Sequence, residues 1–435
     1  MGFVFGILIL IVGLLVAIGL HEIGHLAPAK RFGVKVPQYF IGFGPTLWST
    51  RRGETEYGLK AIPLGGFVRM AGMYPARRDP APALDRKGRI TLVEEARAES
   101  RADLLPGEEH RDFASLSVPK KLTVMFGGPL MNWLLALVLL FVVFVGLGTG
   151  AATSRINSVT ECVPEVGMSE CAPDAEESPA LAAGLRPGDR ITSWNGVPVR
   201  DWTGLTEAIR TGPAAPLPVE VVRDGVEETL TVTPVLTPRP QIGDDGEPVL
   251  ENGEPVLVQM PFVGVQPTFE LVRQGPGEAV SAWWNATGAT FGAVASIPVQ
   301  LWNTVEGLIN PGAEIEGGRS VVSVVGVGAL AGEIGGAASA EYTLAMRAVD
   351  MLSLLASLNL ALFVFNLIPL PPLDGGHIAG ALVEGARRGI ARLSGKPDPG
   401  PVDTAKLLPV AYVVVGFLLL MTVVLVWADI ATPIL

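Results

Sequence analysis

The sequence contains little charge, little histidine and almost no cysteine. Only 17% of its 435 residues are Asp, Glu, Lys or Arg, against about 25% in an ordinary soluble protein. This low fraction, together with 49% apolar residues, excludes an intrinsically disordered chain and disfavours a soluble enzyme. Two cysteines exclude a disulfide-dense scaffold and a cysteine-built zinc finger. The net charge of −11 argues against nucleic acid as a partner.

Four uncharged stretches are long enough to cross a lipid bilayer, which requires about 20 apolar residues. They cover residues 1–20, 122–150, 351–373 and 407–428. The first stretch has no Lys or Arg, whereas a cleavable signal peptide begins with positive charge. We therefore predict a polytopic α-helical membrane protein with four transmembrane helices, the first of them retained.

The connecting segments carry charge of opposite sign. Residues 30–121 have a net charge of +6, residues 150–347 of −15 and residues 370–406 of +1. Positively charged connections stay in the cytoplasm. This pattern predicts that the long acidic segment and both termini are extracytoplasmic.

The first apolar stretch ends in the motif His21-Glu22-Ile23-Gly24-His25. On a helix, His21 and His25 lie one turn apart on the same face, where two imidazoles can bind one Zn²⁺ ion. Glu22, beside them, can act as general base toward a water molecule. The alternative is an ordinary surface helix, which is disfavoured because three ionisable groups at the end of an apolar helix are costly unless they are paired or bind a metal.

A catalytic zinc site needs a third protein ligand. The third apolar stretch ends in NLIPLPPLDGGH, in which prolines end the helix shortly before Asp374. Asp374 is the favoured ligand and His377 competes with it, while His110 lies in a charged segment and is disfavoured. Asp374 could instead cap the N-terminus of a following helix.

Taken together, these motifs resemble the site-2 protease family of intramembrane zinc metalloproteases, peptidase family M50, and most closely its bacterial regulator-of-sigma-E type. HEIGH matches the HExxH motif of the family, and NLIPLPPLDGG matches its N-x-x-P-x-P-x-L-D-G motif. Gly128-Pro129-Leu130-Met131-Asn132 matches its G-P-x-x-N pattern. Residues 57–70 (YGLKAIPLGGFVRM) are similar to its membrane-associated β-hairpin.

The resemblance implies that His21, His25 and Asp374 bind Zn²⁺ and that Glu22 is catalytic. It places Asn366 near the scissile peptide and Asn132 in the same core, where a helix–helix hydrogen bond is the alternative role for Asn132. We further hypothesise that the hairpin holds an unwound substrate strand by edge pairing, so the candidate substrate-binding residues are Asn366, Asn132, Gly65 and Gly66.

Residues 178–235 resemble a PDZ domain, because A-G-L-x-x-G-D-x-I precedes an Asn-Gly pair and Asp224-Gly225 predicts a hairpin turn. A PDZ domain binds an extended peptide at a sheet edge. The alternative is a small β domain that only excludes substrates with large outer domains. Cys162 and Cys171 fall in the acidic segment, where a disulfide is favoured over two free thiols.

The predicted architecture has eight parts. They are residues 1–30 (first helix with HExxH), 31–121 (cytoplasmic β-hairpin and charged loop), 122–150 (second helix), 151–237 (one extracytoplasmic PDZ-like domain), 238–347 (inserted loop and interfacial helices), 348–373 (third helix with the LDG motif), 374–406 (cytoplasmic loop or helix) and 407–428 (fourth helix). Pro298 is the reason for predicting interfacial helices instead of a fifth crossing. The alternating charges of residues 74–118 predict a disordered loop, with a docking surface as the alternative.

The predicted function is zinc-dependent cleavage of single-pass transmembrane substrates, either anti-sigma factors or signal-peptide remnants, in the bacterial inner membrane. The resemblance implies a first extracytoplasmic cut by an upstream site-1 protease. Two other classes remain open: a catalytically silent PDZ adaptor in the membrane, and a metal-binding transporter. Substitution of Glu22 distinguishes the enzyme from both.

Overall fold

The chain forms two compact units. The computed structural model describes residues 2–76, 88–163, 171, 175–241, 249–251, 254–309, 323–337 and 342–431. Unit 1 combines Met1–Leu147 with Gln274–Leu435, and unit 2 is Gly148–Arg273. Unit 1 contains the apolar helices and a β-hairpin, and unit 2 consists mainly of β-strands.

Helices and strands are labelled in chain order. The helices are α1 (Gly2–Arg31), α2 (Leu92–Arg101), α3 (Val118–Phe141), α4 (Pro179–Ala182), α5 (Trp202–Thr211), α6 (Pro276–Ile309), α7 (Val324–Gly336), α8 (Leu344–Leu367), α9 (Asp374–Leu393) and α10 (Leu408–Ala431). The strands are β1 (Gln38–Arg52), β2 (Thr55–Arg69), β3 (Thr149–Val159), β4 (Arg190–Trp194), β5 (Val197–Pro198), β6 (Leu217–Arg223), β7 (Val226–Val232), β8 (Val235–Pro240), β9 (Leu250–Glu251), β10 (Glu254–Pro255), β11 (Leu257–Phe262) and β12 (Val265–Val272).

Four helical segments of the described chain have the length and composition of membrane spans. They are Gly2–Arg31, Val118–Leu147, Leu344–Leu367 and Thr404–Asp429. Each overlaps one of the four predicted stretches, so the four predicted apolar helices are confirmed. In a bilayer an α-helix is favoured because it satisfies every backbone hydrogen bond within the segment.

Glycines allow α1 and α3 to touch along their backbones. A Cβ atom at Gly24 would overlap the carbonyl of Gly127, and one at Gly127 would overlap the carbonyl of Gly24. A Cβ at Gly128 would overlap the His25 ring. Small residues at such contacts are typical of helix pairs in membranes. The contact brings the end of α1, with its histidines, against α3.

The helix α6 differs from the prediction of interfacial helices separated at Pro298. The structure contains one 34-residue helix that continues through Pro298. Its N-terminal half packs on α3, where Trp283 Nε1 donates to the carbonyl of Trp133 at 3.0 Å and Trp133 Nε1 donates to Thr287 Oγ1 at 3.1 Å. A proline removes only one backbone donor, and an apolar helix packed on its neighbours tolerates this loss.

The charged segment that follows the hairpin is partly ordered, contrary to the predicted disordered loop. Residues 92–101 form α2, whose Arg97 pairs with Glu94 at 3.1 Å and also with Asp403. Arg101 pairs with Asp112 at 2.6 Å. The alternating charges therefore mark a folded surface, because they pair with each other and with neighbouring segments. Residues 77–87 lie outside the described part of the chain.

Unit 2 is built on a sheet with the strand order β12-β3-β4-β6-β7, with β5 beside β4. Its core contains Trp194, Ile191, Leu205 and Val219, all fully buried. The predicted hairpin turn lies between β6 and β7, where Asp224 and Gly225 both have positive φ. The unit extends beyond the predicted boundary at residue 237, because β12 pairs with β3.

A hydrogen-bonded ion pair and a disulfide stabilise unit 2. Arg223 donates two hydrogen bonds to the buried Asp189 carboxylate, at 2.8 and 2.7 Å. Burial alone would raise the pKa of Asp189, but the Arg223 guanidinium and the Arg186 N–H hold it below its ordinary value. Cys162 and Cys171 are joined by a disulfide with a Cα–Cα distance of 5.8 Å.

A buried ion pair joins α3 to α9. Lys121 Nζ lies 2.8 and 3.0 Å from the two carboxylate oxygens of Glu384, and both side chains are at most 5% exposed. Glu384 also accepts one hydrogen bond from the Val402 N–H and is paired with Arg388 at 3.1 Å. This carboxylate therefore ties α9, the helix that begins at Asp374, to α3.

Replacement of Glu384 by Leu is expected to lower the free energy of unfolding by about 3–5 kcal/mol, because Lys121 becomes an unpaired buried cation. The double variant Lys121→Met/Glu384→Leu should recover most of this loss. Urea unfolding of the detergent-solubilised chain measures both values. Equal destabilisation of the single and double variants would show that the ion pair is not the cause.

Candidate metal centre and catalytic site

The two histidines of HEIGH lie at the end of α1 with their rings together. His21 Nε2 and His25 Nε2 are 3.2 Å apart, and the ring planes are nearly perpendicular. His25 is buried, and its Nδ1–H donates to the Val124 carbonyl of α3 at 2.8 Å. Because a carbonyl can only accept, this bond places the ring proton on Nδ1 and leaves the Nε2 lone pair free.

Asp374 lies opposite the two histidines, in the first turn of α9 rather than at its N-cap, which is Leu373. Its Oδ2 atom is 3.3 Å from His21 Nε2 and 3.3 Å from His25 Nε2. A Cβ atom at Gly375 would overlap the Ile368 carbonyl. Glycine at this position therefore lets the chain fold back after α8 and aim Asp374 at α1.

The three side chains fit a zinc ion. Within the described residues, His21, His25 and Asp374 are the only group of three candidate ligands, with all ligand atoms within 4.8 Å of one another. Asp374 Oδ2 is buried and accepts no hydrogen bond from the described residues, although a buried carboxylate oxygen is costly to leave unsatisfied. Two imidazoles and one carboxylate leave a fourth position open, as in catalytic zinc sites.

His377, the competing ligand, lies one turn further along α9 and outside this group. It lines a separate cavity of about 200 Å³, together with Tyr74 and Pro371. The geometry therefore favours Asp374 over His377 as the third ligand.

Glu22 lies on α1 and is buried against the hairpin. A Cβ atom at Gly66 would lie 3.1 Å from Glu22 Cγ and 2.9 Å from Ile18 Cγ2, so the backbone of β2 lies directly against the glutamate. The hydroxyl of Tyr39 on β1 donates to the Gly19 carbonyl of α1 at 2.9 Å and holds the hairpin in this place. A carboxylate beside the candidate zinc ligands can accept a proton from an attacking water.

The hairpin is folded so that one of its segments lies next to the site. Residues 38–41 pair both with residues 56–59 and with residues 66–69. Among the described strands, residues 66–69 pair with residues 38–41 alone, which leaves one edge of this segment unpaired. Gly65, just before it, has a φ of +96° that favours glycine.

The structure brings some of the other candidate residues to the site. Asn132 on α3 is buried, and its Nδ2 atom lies 3.4 Å from His21 Nδ1. Asn366 is half-buried in the last turn of α8, eight residues before Asp374. The sequence did not point to Val124 as a partner of His25, because the contact uses a backbone carbonyl that every residue has.

Comparison with known proteins gives the family. The family model described as peptidase family M50 matches residues 9–396. The chain is 34% identical to the zinc metalloprotease Rip1 of Mycobacterium tuberculosis strain H37Rv over 453 residues, covering 100% of this chain and 99% of the relative. It is 28% identical to the zinc metalloprotease RasP of Bacillus licheniformis, with 97% of each chain covered. It is 26% identical to the regulator of sigma-W protease RasP of Bacillus subtilis strain 168, with 94% of each covered.

These matches extend over nearly the whole chain and include both halves of the candidate site, HEIGH and the segment that ends in Asp374. Membership of a membrane-protease family is consistent with the four apolar helices, and together they indicate a multi-pass membrane protein. The chain belongs to peptidase family M50, the site-2 proteases, and is a zinc-dependent metalloendopeptidase.

Proposed function

We propose that this protease cleaves single-pass membrane proteins within the bilayer, after a first cut has removed their outer domain, and that anti-sigma factors are among its substrates. The observation that carries the proposal is the convergence of His21, His25 and Asp374 beside Glu22, on or next to a helix, α1, that is long enough to cross a membrane. The name of the Bacillus subtilis relative, regulator of sigma-W protease, supports the substrate class.

His21, His25 and Asp374 would hold the zinc ion. When bound there, zinc supplies Lewis-acid activation of water and stabilises negative charge on the scissile carbonyl oxygen. Glu22 accepts the proton of the attacking water and then donates it to the leaving nitrogen. The buried surroundings of Glu22 and His25 keep other water away from the reacting groups.

The substrate must be extended at the point of cleavage, because the backbone carbonyls of an intact helix are hydrogen-bonded within the helix. The unpaired edge of residues 66–69 offers backbone groups to such an extended segment, next to Glu22. Adding a substrate strand to this edge would align the scissile peptide with the site. Asn366, in the last turn of α8, would then hold the substrate backbone through its amide.

The exposed apolar side chains of the hairpin suit a position in the membrane. Phe43, Leu47, Trp48 and Ile62 are each at least 45% exposed. Exposing such a surface to water would be unfavourable, whereas the bilayer interface stabilises it. Aromatic side chains are particularly favoured at that interface. The hairpin is therefore proposed to be membrane-associated and to receive substrate there.

Unit 2 is proposed to act outside the cytoplasmic membrane as a PDZ-like domain that restricts access to substrates already trimmed. The net charge of −15 over residues 150–347 favours this side of the bacterial inner membrane, with both termini also outside. The disulfide between Cys162 and Cys171 fits an oxidising compartment.

Substitution of Glu22 by Gln is expected to reduce cleavage of a pre-trimmed single-pass substrate by about 10²–10⁴-fold, because the general base is lost while its shape is kept. Cleavage in reconstituted vesicles and zinc content per chain are the two measurements. Wild-type protein treated with a zinc chelator serves as the inactive reference.

One outcome would contradict the role of Glu22, and two would contradict the proposed function. Equal cleavage by the wild type and Glu22→Gln would remove Glu22 as the base. Zinc-loaded wild type that cuts no trimmed substrate would favour the silent adaptor. Zinc flux across vesicles without cleavage would favour the transporter.

Substitution of Gly66 by Val is expected to reduce cleavage by about 100-fold, because the added side chain displaces Glu22 and misaligns the attacking water. The zinc content should stay at that of the wild type, since the atoms nearest to a Cβ at Gly66 belong to Ile18, Phe40 and Glu22, none of which is a candidate zinc ligand. Gly288→Val is a matched control, because a Cβ at Gly288 meets nothing within 4 Å. Full activity of the Gly66 variant would show that β2 does not position Glu22.

A further inference from the structure

Asn132 presents a buried amide to the zinc site without being one of its ligands. Its side chain is 1% exposed, and its Nδ2 atom lies 3.4 Å from Nδ1 of His21. Its Oδ1 atom is buried and has no hydrogen-bond partner among the described residues. The amide thus joins α3 to α1 through its nitrogen alone, and its carbonyl oxygen is left without a partner at the edge of the site.

The proton positions along the site are linked by geometry. His25 carries its ring proton on Nδ1, because the Val124 carbonyl accepts from that atom. Its Nε2 lone pair faces His21 Nε2 at 3.2 Å. Without zinc, a His21 proton on Nε2 has two acceptors within reach, His25 Nε2 at 3.2 Å and Asp374 Oδ2 at 3.3 Å, and we assign this tautomer to the metal-free state. His21 Nδ1 is then an acceptor, and the Asn132 amide N–H donates to it.

Zinc binding requires the opposite tautomer of His21. Both Nε2 atoms must offer lone pairs to the metal, so the His21 proton must lie on Nδ1. A buried Nδ1–H needs an acceptor, since an unpaired buried donor costs about 1–3 kcal/mol. The Asn132 amide can supply one, because a half turn of its terminal group exchanges the amide nitrogen for the carbonyl oxygen.

We propose that Asn132 sets the tautomer of His21 and is therefore a positioning residue for zinc, not a substrate-binding residue. Its amide donates to His21 Nδ1 when the metal is absent and accepts from His21 Nδ1–H when the metal is bound. An amide can donate to His21 in the metal-free state and accept from it in the zinc-bound state, whereas a carboxylate can only accept, which suits the zinc-bound state alone. The proposal rests on the zinc site of the proposed function.

The test is the zinc affinity of the full-length detergent-solubilised chain, measured by competition with a chromophoric chelator. Asn132→Leu, which is similar in size but has no polar atom, should bind zinc about 10–100-fold more weakly than the wild type. Asn132→Asp, which keeps the acceptor, should restore the affinity to within a few-fold of the wild type. Asn132→Ala is a second apolar variant with the same expected loss, for use if the Leu variant does not fold.

Asn359→Leu is the matched control. Asn359 is also a buried amide, 1% exposed, with an unpaired Oδ1, but its Nδ2 donates within its own helix to the Leu355 carbonyl. This variant should bind zinc like the wild type. Thermal unfolding of each metal-free variant separates lost stability from lost affinity.

Three results would overturn the proposal: wild-type affinity in Asn132→Leu, an Asp variant as weak as the Leu variant, or equal losses in the Asn359 control. These results are separate from failure of the proposed function. A wild type that binds one zinc with the expected variant pattern, yet cuts no substrate, would refute the protease function and leave the role of Asn132 intact. Cleavage by the wild type with normal zinc binding in Asn132→Leu would refute only the role of Asn132.

Discussion

The fold depends on bringing two imidazoles and a carboxylate together inside a bundle of apolar helices. Ionisable groups in such surroundings are costly unless they are paired or bind a metal. Here Asp374 Oδ2 lies 3.3 Å from both histidine Nε2 atoms and has no other partner in the described structure. A shared zinc ion would offset that cost, and the neighbouring contacts hold the three groups in place.

The contacts that hold the three groups in place are made mainly by glycines, together with one buried ion pair. Gly24, Gly127 and Gly128 let α1 and α3 approach until the His25 ring lies against the α3 backbone. On the other side, Gly375 allows the sharp return of the chain that carries Asp374. The buried pair of Lys121 and Glu384 then fixes α9 to α3. A rigid arrangement of this kind suits catalysis, because misplacing the reacting groups by about 1 Å can reduce the catalytic rate about 100-fold.

Part of this site could be predicted from the sequence, and the reason is local periodicity. His21, Glu22 and His25 are brought together by a single helix, so their spacing alone indicated a metal motif. The closeness of Asp374 to them depends on packing between helices 350 residues apart, which one sequence does not reveal without a family resemblance. The position of Gly66 against Glu22 likewise depends on how the hairpin folds over α1.

Two predictions about secondary structure were wrong for physical reasons that the structure makes plain. Residues 92–101 form a helix rather than a loop, because their alternating charges find partners such as Asp403, far away in the chain. Pro298 does not interrupt α6, because a helix that packs on α3 through Trp283 keeps its remaining hydrogen bonds. In both cases tertiary contacts outweighed a local signal.

The measurement that tests this account most directly is zinc K-edge X-ray absorption of the purified wild type, compared with Asp374→Ala. We expect two imidazole nitrogens at about 2.0–2.1 Å and oxygen ligands at about 2.0–2.2 Å in the wild type. The variant should lose stoichiometric zinc. A spectrum with three imidazoles, or full zinc binding by Asp374→Ala, would contradict the ligand set and point to His377 in place of Asp374.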